Sequence, residues 1–212
     1  MPTDRRRKAD ELRKQQTKLA LLDAARRVFV EKGYHPTLIS DIVQEAGMGQ
    51  GSFYRHFSNK REAFECLFND FIDSLFEEFA DFTAHLPRNA AEYDRLSRES
   101  VGKVARILHE QSELTTLFLR QAPVIDRAFE ERFNDSLAAF AALAQSFLDH
   151  AISKGFSRPC DSNIVAHCLV GAAKHVLSVK LGAHVPQSEV ERIVGEAIDF
   201  AFLGIGPPNS RS

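Results

Sequence analysis

Apolar residues recur every three to four positions along most of the chain, and glycine or proline marks each interruption. That period is helical rather than strand-like. Leu21, Leu22, Ala25, Val28 and Phe29 give the inner face of a first helix over 17–32, which Gly33 ends, and Pro36 keeps the next link extended. Ile39, Ile42, Val43 and Ala46 make a second, short stripe that stops at Gly47; Phe53 and Phe57, four apart, make a third. Asn59 followed three residues later by Glu62 is a capping-box signature. The helix it opens runs to roughly Leu86, before Pro87, and carries Phe64, Leu67, Phe68, Phe71, Leu75, Phe79 and Phe82. Further helices are predicted at 89–110, 112–122, 124–154, 161–181 and 187–204, with Asp161 and Ser188 as caps. The chain therefore reads as all-α, about nine helices, with an N-terminal three-helix unit followed by a larger helical bundle.

Residues 37–64 carry the most chemistry. A helix as short as the one holding Phe53 cannot hold itself together in water, so its neighbours must prop it. Its other faces present Gln50, Ser52, Tyr54, Arg55 and His56, groups that bond phosphates and base edges. That is the logic of a DNA-reading helix-turn-helix. Gln50 suits a bidentate pair with adenine, Ser52 bonds either kind of edge, and Gly51 lets the backbone approach closely. Arg55 suits guanine or a phosphate. Thr37 and Ser40 are the expected phosphate contacts at the start of the second helix.

Charge agrees. Residues 1–63 sum to +5 and residues 64–212 to −7, a basic head on an acidic body. Residues 1–16 open with Asp4-Arg5-Arg6-Arg7-Lys8, and Arg13, Lys14 and Lys18 follow. This segment reads either as a basic arm lying on phosphates or in the minor groove, or as a tail or solvated helical extension.

Thr17, Ala24, Ala25, Phe29, Gly33, Tyr34, Thr37, Ile42, Ala46, Gly47, Gly51, Tyr54, Phe57, Lys60 and Glu62 stand in a register that resembles the amino-terminal DNA-binding domain of the TetR family of bacterial transcriptional regulators. The resemblance covers residues 17–64. It implies that Tyr54, His56 and Lys60 hold phosphates, and that the fourth to seventh helices enclose a cavity for a small effector. Leu38, where the family often has a second threonine, and Gly49, in place of the usual serine cap, depart from the pattern. The division expected is an arm at 1–16, a DNA-binding domain at 17–63 and an effector and dimerisation domain at 64–205, with the helix from about 60 as mechanical link.

Most of the 17 phenylalanines follow residue 64. Candidate lining residues for the cavity are Phe68, Phe71, Phe118, Leu119, Phe133 and Phe140, with His109, Gln121 and Asn134 as polar anchors; such a lining suits a hydrophobic or amphipathic effector. Val165, Leu169, Ala172, Ala173, Val176 and Leu177 give one apolar stripe near the C-terminus, and Val190, Ile193, Val194, Ala197, Ile198 and Ala201 give another. Two such stripes per subunit suit a four-helix dimer contact.

No Glu-x-x-His pair, nucleophile elbow or glycine-rich phosphate loop occurs, so no catalytic residues and no cofactor are assigned. His167, Cys168 and His175 lack metal-ligand spacing, and Cys66, Cys160 and Cys168 read as inert thiols. With no apolar run of 18 residues and no secretory signal, a cytoplasmic protein is expected. The function expected is a dimeric repressor that binds a palindromic duplex operator and is released by a small molecule. An activator shares the same head, and an architectural DNA protein shares the head without the aromatic body.

Overall fold

The computed structural model describes the backbone of residues 4–84, 86–180 and 185–205. The side chains of Phe79, Phe82, Val190, Val194 and Ile198, singled out above, lie outside those described. Among the described residues there are nine α-helices and no strand. They are α1 (Asp4–Lys32), α2 (Ile39–Glu45), α3 (Gln50–Tyr54), α4 (Lys60–Ala84), α5 (Ala90–Glu110), α6 (Ser112–Gln121), α7 (Arg127–Ser153), α8 (Ser162–Lys180) and α9 (Gln187–Ile205). The chain forms two compact units, Met1–Phe71 and Ile72–Ser212, and α4 is continuous through the boundary.

The first unit is α1, α2, α3 and the start of α4 around an aromatic core. Phe29, Phe53, Phe57, Phe64 and Phe68 are each at most 1% exposed, worth about 1.5–3 kcal/mol apiece against leaving them in water. Phe29 and Tyr34 meet the Phe64 ring edge-on at 5.2 and 5.1 Å, tying the two long helices to the link between α1 and α2. α1 is longer than the apolar stripe indicates. Residues 4–16 are not a separate arm but continuous helix, built from strong helix formers and with no Gly or Pro after Pro2.

Helix starts follow side-chain chemistry. Asn59 accepts the Glu62 amide at 3.0 Å, and Glu62 bonds the Ser58 amide at 2.6 Å rather than that of Asn59. Asn89 and Glu92 repeat the arrangement at α5, with Glu92 bonding the Arg88 amide at 2.8 Å. Asp161 caps α8 as expected, at 3.0 Å from the Ile164 amide. Two starts are corrected. α7 begins at Arg127, not 124, because Asp126 caps it through the Phe129 amide and Pro123 lies in a short 3-10 turn. α9 begins at Gln187, so Ser188 is inside its first turn rather than at its cap.

In the second unit Tyr93 stacks on Phe147 at 5.0 Å, beside Ala151, with Leu96 and Phe156 packed against them. Phe76 stacks on Phe140 at 4.2 Å. α7 packs along α8, and α5 along α9, where Arg98 reaches Asp199 at 2.8 Å.

Candidate nucleic-acid interface

Gly47 takes φ +64°, and the amides of Met48 and Gly47 return to the carbonyls of Val43 (2.8 Å) and Gln44 (3.1 Å). This paired closure ends α2 where an L side chain would be strained. Gly49 then caps α3 with extended backbone and no side-chain bond, which costs a few tenths of a kcal/mol relative to serine. Phe53 and Phe57 anchor α3 from within, leaving Gln50, Gly51, Tyr54 and Arg55 exposed and Ser52 and His56 half-buried. Arg55 Nη2 donates to Ser52 Oγ at 2.9 Å, so these two side chains act as one polar unit. Ser40 is exposed in the first turn of α2, beside the 61% exposed Leu38.

Two expected phosphate contacts are not available. Thr37 is fully buried, and its hydroxyl donates to the Gly33 carbonyl at 2.6 Å, closing the link after α1. Lys60 Nζ donates to the carbonyls of Tyr34, His35 and Thr37 at 2.8, 2.9 and 2.7 Å and lies 4.7 Å from the centre of the Tyr34 ring. All three ammonium protons are thereby used. Burial pulls its pKa below the ordinary lysine value. Lys60 is a brace between the start of α4 and the link into α2. Its spacing from residues 34–37 in sequence gave no signal of this.

The other cations of the scaffold are also engaged. Arg27 pairs with Glu45 at 2.6 Å and with Asp23, and Lys32 pairs with Asp41 at 3.1 Å, joining α1 to α2. Asp41 also accepts the Leu38 amide at 2.9 Å; that bond first, and Lys32 second, holds its carboxyl below the usual range. His56 differs. Burial, then the charges of Arg55, Lys18 and Lys14, push its pKa below the ordinary histidine value.

In the body, Phe118 and Phe133 are buried, and Gln121, His109 and Phe140 are half-buried. His109 Nδ1 is buried without a hydrogen-bond partner, as is Thr116 Oγ1, which the sequence reading passed over. Three assignments change. Asn134 is exposed, because the apolar face of α7 turns the neighbouring Phe133 inward instead. Phe68 and Phe71 are buried and fall in the first unit rather than in the body. On α8, Val165, Leu169 and Val176 are half-buried on the inward side around Ala166, while Ile164, Cys168, Gly171, Ala172, His175 and Val179 form the exposed stripe. Cys168 is thus an exposed thiol. On α9, Ala197 is exposed, Ala201 half-buried and Phe200 77% exposed.

A short polar helix held out from a three-helix scaffold, on an all-helical chain, defines a helix-turn-helix DNA-binding regulator. Residues 21–66 match the family model for bacterial regulatory proteins, tetR family. The HTH-type transcriptional regulator YdgC of Bacillus subtilis is 27% identical over 192 residues, 88% of this chain and 91% of that protein. The HTH-type transcriptional repressor KstR2 of Mycobacterium tuberculosis is 28% identical over 142 residues, 66% of this chain and 68% of its own length. The solved SmeT–triclosan complex shares the fold, with a TM-score of 0.74 at 22% identity over 92% of this chain and 93% of that one. The chain thus carries a tetR-family DNA-binding domain at residues 21–66, and relatives matching over most of its length are HTH-type transcriptional regulators. It is a DNA-binding regulator and not an enzyme. No described helix is long and apolar enough to cross a membrane.

Proposed function

We propose that the protein is a dimeric repressor whose α3 reads each half of a palindromic operator and whose body releases DNA on binding a small hydrophobic molecule. The observation that carries this reading is α3 itself. Its aromatic side is buried, and Gln50, Gly51, Ser52, Tyr54 and Arg55 face outward within one and a half turns. In this reading Gln50 and Ser52 meet base edges, Arg55 meets guanine or phosphate, and Ser40, Tyr54 and His56 hold phosphates. Thr37 and Lys60 shape the scaffold instead. Residues 17–63 with the start of α4 act as the DNA-binding domain, and the rest as the effector and dimerisation domain.

One such head is too small for tight specific binding, so two are needed, with α3 helices about 34–36 Å apart. The exposed stripe of α8 and Phe200 of α9 supply the subunit contact, because an apolar stripe of this length is costly to leave in water. KstR2 is described as a ketosteroid regulator, and SmeT was solved with triclosan. A comparable apolar effector suits the Phe-rich body here, with His109 as a polar anchor. Its differential affinity for the two states, typically about 1–3 kcal/mol of coupling, is what shifts the equilibrium.

The test is fluorescence anisotropy on the DNA upstream of its own gene, with a thermal-shift screen to find the effector. Salt-dependent, sequence-selective binding is expected, and effector and operator weaken each other by the same factor. Equal binding to all sequences supports the architectural alternative, and no binding at modest ionic strength refutes the reading.

A further inference from the structure

Beyond the helix-turn-helix, α1 carries a feature that its scaffold role leaves unused. Its inner face is the seam Leu21, Ala25 and Val28, at most 5% exposed. Stepping back along the same seam in threes and fours gives Lys18, Lys14, Glu11 and Arg7. The seam thus turns from apolar to cationic where the three-helix core ends. Residues 6–16 are exposed throughout, yet the helix continues over them without interruption. The cationic stretch also lies beside the DNA-reading end. Lys18 Nζ sits 5.8 Å from the centre of the Phe57 ring, and the charges of Lys18 and Lys14 both reach His56.

We propose that residues 7–18 of α1 form a cationic spur in which Arg7, Lys14 and Lys18, continued by His56, grip the sugar-phosphate backbone beside the bases that α3 reads. This rests on the reading of α3 given above. Lys14 and Lys18, four apart, repel each other on a helix. Glu11, 3.5 Å from Lys14, offsets part of that repulsion, and both ends of this pair are strongly exposed. An exposed, self-repelling helical stretch of this length is marginal by itself. A polyanion along the seam removes the repulsion. From Arg7 to Lys18 the helix rises about 16 Å, the axial length of roughly five base pairs. The spur therefore reaches phosphates beyond the turn of duplex that α3 occupies and carries no base information.

The experiment compares Arg7→Ala/Lys14→Ala/Lys18→Ala with Arg6→Ala/Lys8→Ala/Arg13→Ala in the full-length protein on its upstream DNA. Both remove three positive charges from exposed helix and keep a strong helix former, but the second set lies off the seam. The seam variant is expected to flatten the slope of log K against log salt by about 2–3 for each bound subunit, and to shorten the hydroxyl-radical footprint at its outer edges. Its ranking of operator bases should stay that of the wild type. The off-seam variant should change the slope by less than about one. Lys14→Gln and Lys18→Gln alone should each remove about one from the slope, which guards against a folding defect in the triple variant. Equal effects of the two triple variants, or an unchanged slope in the seam variant, overturn the spur and leave the reading of α3 standing. A wild-type protein that binds no DNA overturns both.

Discussion

Replacing Lys60 with methionine tests whether the scaffold has been read correctly. The ammonium donates to three carbonyls, those of Tyr34 and Thr37 part-buried and that of His35 exposed. Hydrogen bonds from a charged donor contribute about 1.5–3 kcal/mol each, but the three do not add. Drawing the ammonium out of water is itself costly, as its lowered pKa records. In the variant, water re-solvates the His35 carbonyl, and the other two lose their donor. A destabilisation of about 2–4 kcal/mol follows, read by urea denaturation. Operator affinity should fall for all sequences alike, because the entry into α2 is no longer fixed. The salt slope should stay that of the wild type, since no phosphate contact is lost. A phosphate-binding Lys60 gives the reverse, unchanged stability and a slope flatter by about one. That result would refute the brace. Lys60→Arg should not restore stability, because a planar guanidinium cannot aim three donors at carbonyls clustered around a point charge.

Gln50→Ala should relax base preference at one position in each half-site and leave the salt slope alone; selection from a randomised operator library reads it, and an unchanged preference sinks that assignment. His56 has a lowered pKa, so the unfolded chain takes up its proton first. Folding stability from this group is therefore complete above its ordinary value and declines as pH falls into the window below it. A phosphate beside the ring works oppositely, so operator affinity should rise as pH falls from about 7.5 to 5.5, and His56→Gln should flatten that rise; an identical pH profile in the variant counts against the contact. Ile164→Asp with Phe200→Asp should yield folded monomers by sedimentation and weaken operator binding at least about tenfold, whereas a surviving dimer would move the interface elsewhere.

The helices were legible because their signals are local. The 3.6-residue period, Gly47 at a left-handed turn and the Asn-x-x-Glu start of α4 each act within a few residues. Lys60 and Thr37 were misread because their partners are set by the three-dimensional path of residues 33–37. A lysine after a recognition helix looks the same in sequence whether it faces a phosphate or three carbonyls. The N-terminal part of α1 has no apolar period, so the sequence left it open between an arm and a solvated helical extension. On α8 both faces are apolar, and hydrophobicity alone cannot say which one the subunit uses itself. The sequence favoured Val165, Leu169, Ala172 and Val176; Ala172 lies in the stripe that stays exposed, and the other three are half-buried about a quarter turn from it.

The net +5 of residues 1–63 understates how the charges are sorted. Three of the eight acidic residues of this segment stand beside scaffold cations: Asp23 and Glu45 at Arg27, Asp41 at Lys32. Lys60 is spent on carbonyls in the same region. These contacts fix α1, α2 and α4 against one another and carry little free field. Arg55, His56, Lys18, Lys14 and Arg7 lie outside these contacts, with Glu11 paired to Lys14 and the Glu62 carboxylate near enough to interact with Lys18. A duplex therefore meets a field set by these side chains rather than by the segment's total. Neutralising Asp23 or Glu45 would raise the formal charge of the head yet loosen the join between α1 and α2, so operator affinity should fall although the head becomes more basic.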